Sequence, residues 1–301
     1  MARNVGAAAL QRIKNLAKET GLDVQSLVRR YAQERLVYRL SISDAADSFC
    51  LKGGLLLSLY NGGRLLRPTD DVDFNGFDGD GDVRTLEETL RRVLSMPVED
   101  DGVDFKLETM QISKDRTGVV PGGKVSIVAF VGSARANVRV DVGFGNPITP
   151  TARRMEIPTI LEGMAPRPVI AAYPLETVVA EKLHAMVEFG MINTRIKDYY
   201  DVWMLLRLHL FSGNDLAEAI KNTFEHQRRA VPERIEGLTE DFATNNEPVW
   251  RRFLSKVAPD LDVSLADTIK EIDAFLSPVL ARVRGQSADP GEWRPANGWV
   301  P

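Results

Sequence analysis

A chain of 301 residues, 44% hydrophobic and 27% charged, can bury a sizeable core and has the composition of a soluble globular protein of two subdomains. Its single cysteine, Cys50, excludes a disulfide framework and a thiolate zinc site; flanked by Phe49 and Leu51, it reads as a small buried hydrophobe in a reducing compartment. The formal net charge of −4 argues against a general nucleic-acid coat, and no apolar run approaches the ~20 residues of a membrane span. With no signal-like apolar opening either, the expected location is the cytoplasm. The charge is unevenly spread. Residues 1–69 carry 11 Lys/Arg against 5 Asp/Glu, residues 70–115 carry 5 against 14, and residues 116–170 carry 7 against 3. A basic lead beside an acidic centre could steer a polyanion toward a metal site, although solvated helix faces account for the same counts.

In chain order, residues 4–20 predict an amphipathic helix ended by Gly21. Asp23 caps a second, 24–40, with Val24, Leu27, Val28, Tyr31 and Leu36 inward and Arg29, Arg30 and Arg35 on the other face. Ser43 or Asp44 caps a short third helix reaching Phe49. Residues 53–61 read as a buried helix ending at Gly62-Gly63, and 71–77 as a strand. The Asp/Gly loop 78–82 lacks the spacing and closing Glu of a calcium loop and reads as a solvated turn. A helix at 83–95 precedes strands at 104–112, 124–131 and 136–144, with a further extended segment at 167–172. Helices then follow at 174–189, 195–209, 214–228, 247–257 and 264–285, and residues 286–301 read as an irregular tail. The expected fold class is α+β: a mixed-sheet head with flanking helices (1–170), then a helical half (171–301).

The chemistry gathers in one stretch, Lys52-Gly53-Gly54 through Arg67-Pro68-Thr69-Asp70-Asp71-Val72-Asp73-Phe74. A Gly pair lets backbone approach a phosphate closely, and at a helix start it would offer N–H groups at the positive end of the dipole. On a strand, Asp71 and Asp73 project to one face while Val72 and Phe74 enter the core. Two adjacent carboxylates repel unless a cation lies between them, and Mg²⁺ suits hard oxygen ligands plus substrate phosphates. An Asp-rich surface turn is the plainer alternative. Asp141, in Arg139-Val140-Asp141, shares a face with Arg139, so an ion pair competes there with metal binding.

A second polar constellation interrupts the apolar helices of the C-terminal half: Glu181-Lys182-Leu183-His184 and Arg195-Ile196-Lys197-Asp198-Tyr199-Tyr200-Asp201. Lys182 could reach a triphosphate, and Asp198 could bond that lysine or act as a base; a salt-bridge lattice between neighbouring helices explains the same residues. His184, His209 and His226 have no metal spacing. The motifs G-x-S-x-G, H-E-x-x-H, G-x-x-x-x-G-K-[ST] and a G-x-G-x-x-G after a first strand are all missing, which leaves Asp-rich two-metal phosphoryl chemistry.

Five segments in order carry a resemblance across nearly the whole chain: 49–54, 67–74, 140–145, 181–186 and 195–201. Together they resemble the AbiEii-type, MenT-like nucleotidyltransferase toxins of the DNA-polymerase-β-like superfamily. The resemblance implies a polymerase-β-like head and NTP-dependent nucleotide transfer to the 3′ end of tRNA, neutralised by a cognate antitoxin. It implies Mg²⁺, two ions, on Asp71 and Asp73 with Asp141 as a third carboxylate. Lys182 would contact the phosphates, and Asp198 would be the helical acid, making the site a cleft between the two halves. The superfamily's Gly-Ser is Gly53-Gly54 here, so Lys52, Arg67, Thr69 or backbone N–H groups would have to replace the serine. An aminoglycoside-type drug-modifying transferase and a non-catalytic nucleotide- or RNA-binding protein are the competing readings.

Overall fold

The computed structural model describes residues 4–61, 67–77, 82–115 and 122–301. The expected helix end at Gly62-Gly63 and residues 78–81 of the Asp/Gly loop lie outside them. The chain forms two compact units, Met1–Asn146 with Arg153–Ala172, and Pro147–Ala152 with Tyr173–Pro301.

In the first unit, α1 (Val5–Thr20) is capped by the Asn4 side chain and closes on Gly21 in the left-handed region, φ 71°. Asp23 caps α2 (Val24–Ser41) by accepting the Ser26 N–H. Then come β1 (Phe49–Lys52), α3 (Gly53–Tyr60), β2 (Asp71–Gly76) and α4 (Val83–Ser95), the last capped by Asp82. Strands β3 (Val103–Asp115), β4 (Gly122–Val131), β5 (Ala134–Phe144), β6 (Arg153–Glu156) and β7 (Val169–Ala172) complete a seven-stranded sheet of order β3-β4-β5-β2-β1-β7-β6. Its β3-β4-β5 run is an antiparallel meander, whereas β2 pairs parallel with β5 and β1 parallel with β7. The expected mixed sheet with flanking helices is what forms.

Three local expectations fail here. The short helix reaching Phe49 is only a single tight turn, Ala46–Ser48, after which Phe49–Lys52 joins the sheet centre as β1. A four-residue strand buried on both faces shows no alternation, so periodicity could not reveal it. Strand β6 was not anticipated either; its side chains are mostly exposed, and it exists by pairing with β7. On α2, Arg30 and Arg35 are buried rather than solvated. Arg35 lies over the rings of Tyr31 and Tyr38, 5.8 and 5.0 Å from their centroids, which offsets part of its desolvation.

The second unit contains α5 (Leu175–Phe189), α6 (Ile196–Leu208), β8 (Phe211–Ser212), α7 (Gly213–His226), α8 (Glu240–Val257), α9 (Leu265–Val283), β9 (Glu292–Arg294) and β10 (Gly298–Val300). Helix α8 starts earlier than expected, capped by Thr239, and runs through Pro248. The tail is not irregular. Strand β9 pairs with β10 on one side and β8 on the other, and the Trp293 and Trp299 indoles pack around Phe275 at centroid distances of 4.9 and 5.7 Å. Each indole N–H finds a carbonyl, Leu206 O at 2.7 Å and Phe275 O at 2.9 Å, so burying both rings leaves no orphaned donor.

Candidate active site

Strand β2 alternates as its sequence demands: Val72 and Phe74 are fully buried, and Asp71 and Asp73 share the other face. In the parallel β2–β5 ladder Asp71 lies opposite Arg139 and Asp73 opposite Asp141. The fold therefore brings all three carboxylates to one side of two adjacent strands. Burial pushes the Asp141 carboxyl up to about 6, with the charges of Asp71 and Asp73 adding to it and Lys124 opposing them. The Oδ1 of Asp71 is buried with no hydrogen-bond partner among the described residues. A cation would relieve both conditions, and the hard carboxylate donors suit a divalent ion such as Mg²⁺. Among the described residues, no group of three or more His, Cys, Asp or Glu side chains converges closely enough to hold a metal by itself. No Arg139–Asp141 ion pair forms among them; Lys124, which faces Asp141 across the β4–β5 ladder, pairs with Asp115 at 3.2 Å. Lys124 was not singled out in the sequence, because its place beside Asp141 is a matter of cross-strand register.

The start of α3 lies against this face. Lys52 ends β1 opposite Asp73 in the antiparallel ladder, and Gly53 follows with φ +71°, a conformation that L side chains rarely adopt. A Cβ added at Gly54 would stand 2.6 Å from Thr69 Oγ1 and 3.4 Å from Arg67 Nη1. The space a serine would need at position 54 is thus filled by the Thr69 hydroxyl, with the Arg67 guanidinium at its edge. Arg67 is nearly buried, and Thr69 Oγ1 donates to the Asp71 carbonyl at 3.2 Å. Six of the residues singled out in the sequence, Lys52, Gly53, Gly54, Arg67, Thr69 and Asp73, meet around this helix start, and Asp71 follows on the same strand.

The second unit brings Lys182 and Asp198 together. Lys182 Nζ, on α5, donates to Asp198 Oδ1 and to Asp201 Oδ2 on α6, each at 2.7 Å. Arg195 Nε donates to Asp198 Oδ2 at the same distance. Both carboxylates are fully buried. Burial alone would raise the Asp198 carboxyl, but the charges of Lys182 and Arg195, and their hydrogen bonds, hold it down at about 2. Asp201 and Arg195 belong to this cluster as much as Asp198 does, and the i,i+3 spacings 195–198 and 198–201 are the signal for them. His184, half-buried, packs edge-on against Phe224, with centroids 5.2 Å apart.

Residues 35–278 match the family model described as Nucleotidyl transferase AbiEii toxin, Type IV TA system. No curated protein matches the sequence. Solved structures share the fold at low identity. JHP933 from Helicobacter pylori aligns with a TM-score of 0.53 at 15% identity, covering 88% of this chain and 96% of its own. A provisionally assigned nucleotidyltransferase from H. pylori gives 0.52 at 15%, covering 89% and 100%. MenT4, a nucleotidyltransferase toxin from Mycobacterium tuberculosis H37Rv, gives 0.51 at 14%, covering 91% and 98%.

Proposed function

This chain belongs to the AbiEii nucleotidyl transferase toxin family, and from that premise we propose that it is a Mg²⁺-dependent nucleotidyltransferase acting in the cytoplasm. It transfers nucleotides from NTP to the 3′ end of tRNA, which blocks translation and growth until a cognate antitoxin neutralises it. Among the described residues no helix is long and apolar enough to cross a membrane.

The observation that carries the reading is the alignment of Asp71, Asp73 and Asp141 on one side of paired parallel strands, with one buried oxygen unpartnered and one carboxyl pushed up. Asp71 and Asp73, with Asp141 beside them, would hold Mg²⁺, and substrate oxygens would complete the coordination. Metal bound there supplies the charge neutralisation that in-line phosphoryl transfer needs at the attacking and leaving oxygens. Backbone N–H groups at the Gly53-Gly54 start of α3 favour an anion through the helix dipole, with no Cβ to keep it away. Turned from the Asp71 carbonyl toward the phosphates, the Thr69 hydroxyl takes over the role of the superfamily's serine as donor, and Lys52 and Arg67 add positive charge.

Lys182 is a phosphate-contacting lysine in this reading. Asp198 and Asp201 hold its ammonium in place, and a carboxyl at about 2 is a poor proton acceptor, so Asp198 acts by orienting Lys182 rather than as a general base. The test is to incubate the purified protein with Mg²⁺, each α-labelled NTP and total RNA. Label at the 3′ end of tRNA is expected. Label on an aminoglycoside and none on RNA would redirect the assignment to a drug-modifying enzyme, and no labelled acceptor at all would sink transfer.

A further inference from the structure

Helix α2 carries polar side chains where a core is expected. Gln33 and Glu34 are fully buried and Arg30 is 3% exposed. Each bonds a different segment of the first unit. Gln33 Nε2 donates to the Asp70 carbonyl at 3.0 Å, and Arg29 pairs with the Asp70 carboxylate. Arg30 Nη2 donates at 2.8 Å to Ser58 Oγ on α3, and Ser58 Oγ donates on to Leu55 O. Glu34 accepts from Arg30 Nε at 2.7 Å and from the Ile160 N–H.

Gln33 is the informative member of this group. The Asp70 carbonyl can only accept, so the amide must present its nitrogen there, and its Oε1 is left buried without a hydrogen-bond partner among the described residues. Such an orphaned acceptor is destabilising, and a methionine of similar volume would fill the space without it. Packing therefore does not account for a glutamine at this position. What the amide contributes is a fixed point on the backbone one residue before Asp71. Residues 67–70 belong to no helix or strand, yet they place Arg67 and Thr69 at Gly54 and lead into β2.

We propose that Gln33 is a positioning residue for the transfer site: by holding the Asp70 carbonyl it fixes the path of residues 67–71 and so aims Thr69 and Asp71. The inference rests on the nucleotidyltransferase reading above. It goes beyond the family match, which begins at residue 35, after Arg29, Arg30, Gln33 and Glu34.

The variant Gln33→Met tests it, with amide hydrogen exchange on metal-free protein as the first readout. Exchange over 67–73 should rise about tenfold while other core segments and the melting temperature hold. Binding of Mn²⁺ alone, followed by electron paramagnetic resonance, and kcat for transfer should each fall about tenfold. Unchanged exchange over 67–73 overturns the proposal. So does faster exchange throughout the unit with a lowered melting temperature, which would make Gln33 a packing residue, and so do native Mn²⁺ affinity and kcat in the variant. A native protein that neither binds Mn²⁺ nor transfers nucleotide sinks the nucleotidyltransferase reading instead, and the exchange arm then decides alone whether Gln33 holds the loop.

Discussion

Gly53 and Asp73 compete for one space: a Cβ added at Gly53 would stand 1.9 Å from Asp73 Oδ2 and 2.5 Å from its Cγ. The glycine is required by its positive φ and again by the carboxylate pressed against it. Gly53→Ala should therefore remove transfer by displacing Asp73. The left-handed backbone adds a destabilisation of roughly 1–2 kcal/mol, readable as a lowered melting temperature. An alanine variant with native activity would show that Asp73 is free to sit elsewhere.

Asp71→Asn and Asp73→Asn keep the size of each side chain and remove its charge. Each is expected to cost at least about a hundredfold in transfer while leaving the circular dichroism spectrum unchanged. Either substitution should also lower the Asp141 carboxyl toward the usual carboxylate range, because both charges contribute to raising it. Full activity in either variant would refute the metal assignment.

Thr69 and position 54 should be exchangeable. Gly54→Ser alone places a Cβ 2.6 Å from Thr69 Oγ1 and should be inactive. Thr69→Gly alone should raise KM for NTP by removing the hydroxyl. The double variant Gly54→Ser, Thr69→Gly also clears the Thr69 Cβ, which would stand 2.9 Å from the new one, so it returns a hydroxyl to the vacated space and should recover activity above both single variants. Steady-state kinetics on the three proteins settles the matter, and a double variant no better than either parent would separate Thr69 from the serine's role.

Half-buried Asp141 and fully buried Asp198 respond to pH with opposite signs. Asp141 has a folded value of about 6, above its ordinary 3.8, so the folded state keeps a proton that the unfolded chain has already released. Metal-free protein should therefore lose stability from this group as pH rises from about 4 to about 6. Asp141→Asn should flatten that slope, and added Mg²⁺ should reverse it. Asp198, held at about 2, stabilises the fold above its ordinary 3.8, and that contribution is lost as pH falls toward 2. Thermal melts of the native protein and the Asp141→Asn and Asp198→Asn variants across this range would check both signs.

Removing Lys182 leaves two fully buried carboxylates facing each other. Lys182→Ala should lower stability by roughly 3–5 kcal/mol, the usual cost of breaking a buried pair from one side. Asp201→Asn keeps a hydrogen-bond acceptor for Nζ and should fold normally with reduced affinity for NTP. Denaturant melts and nucleotide titrations on both variants separate the lattice from the binding role. Native NTP affinity in Asp201→Asn would confine Asp201 to structure.

Local chemistry was enough to place most elements. The cap at Asp23, the stop at Gly21 and the two-residue alternation of β2 and β5 act within a few residues, so they are written in the chain itself. The same alternation put Asp71 and Asp73 on one face before any neighbour was known. What depended on distant partners was out of reach. Arg30 and Arg35 read as solvated because helical periodicity sorts residues by face and cannot tell which face another element will cover. Strand β1 and the Trp293–Trp299 hairpin are stable only through their pairing partners. The carboxylate site divides in the same way: the sequence determined that Asp71 and Asp73 are neighbours, through strand geometry alone. Only the tertiary register of β2 on β5 set Asp141 beside them, and only the fold of residues 67–71 onto α3 put the Thr69 hydroxyl in the space Gly54 leaves open.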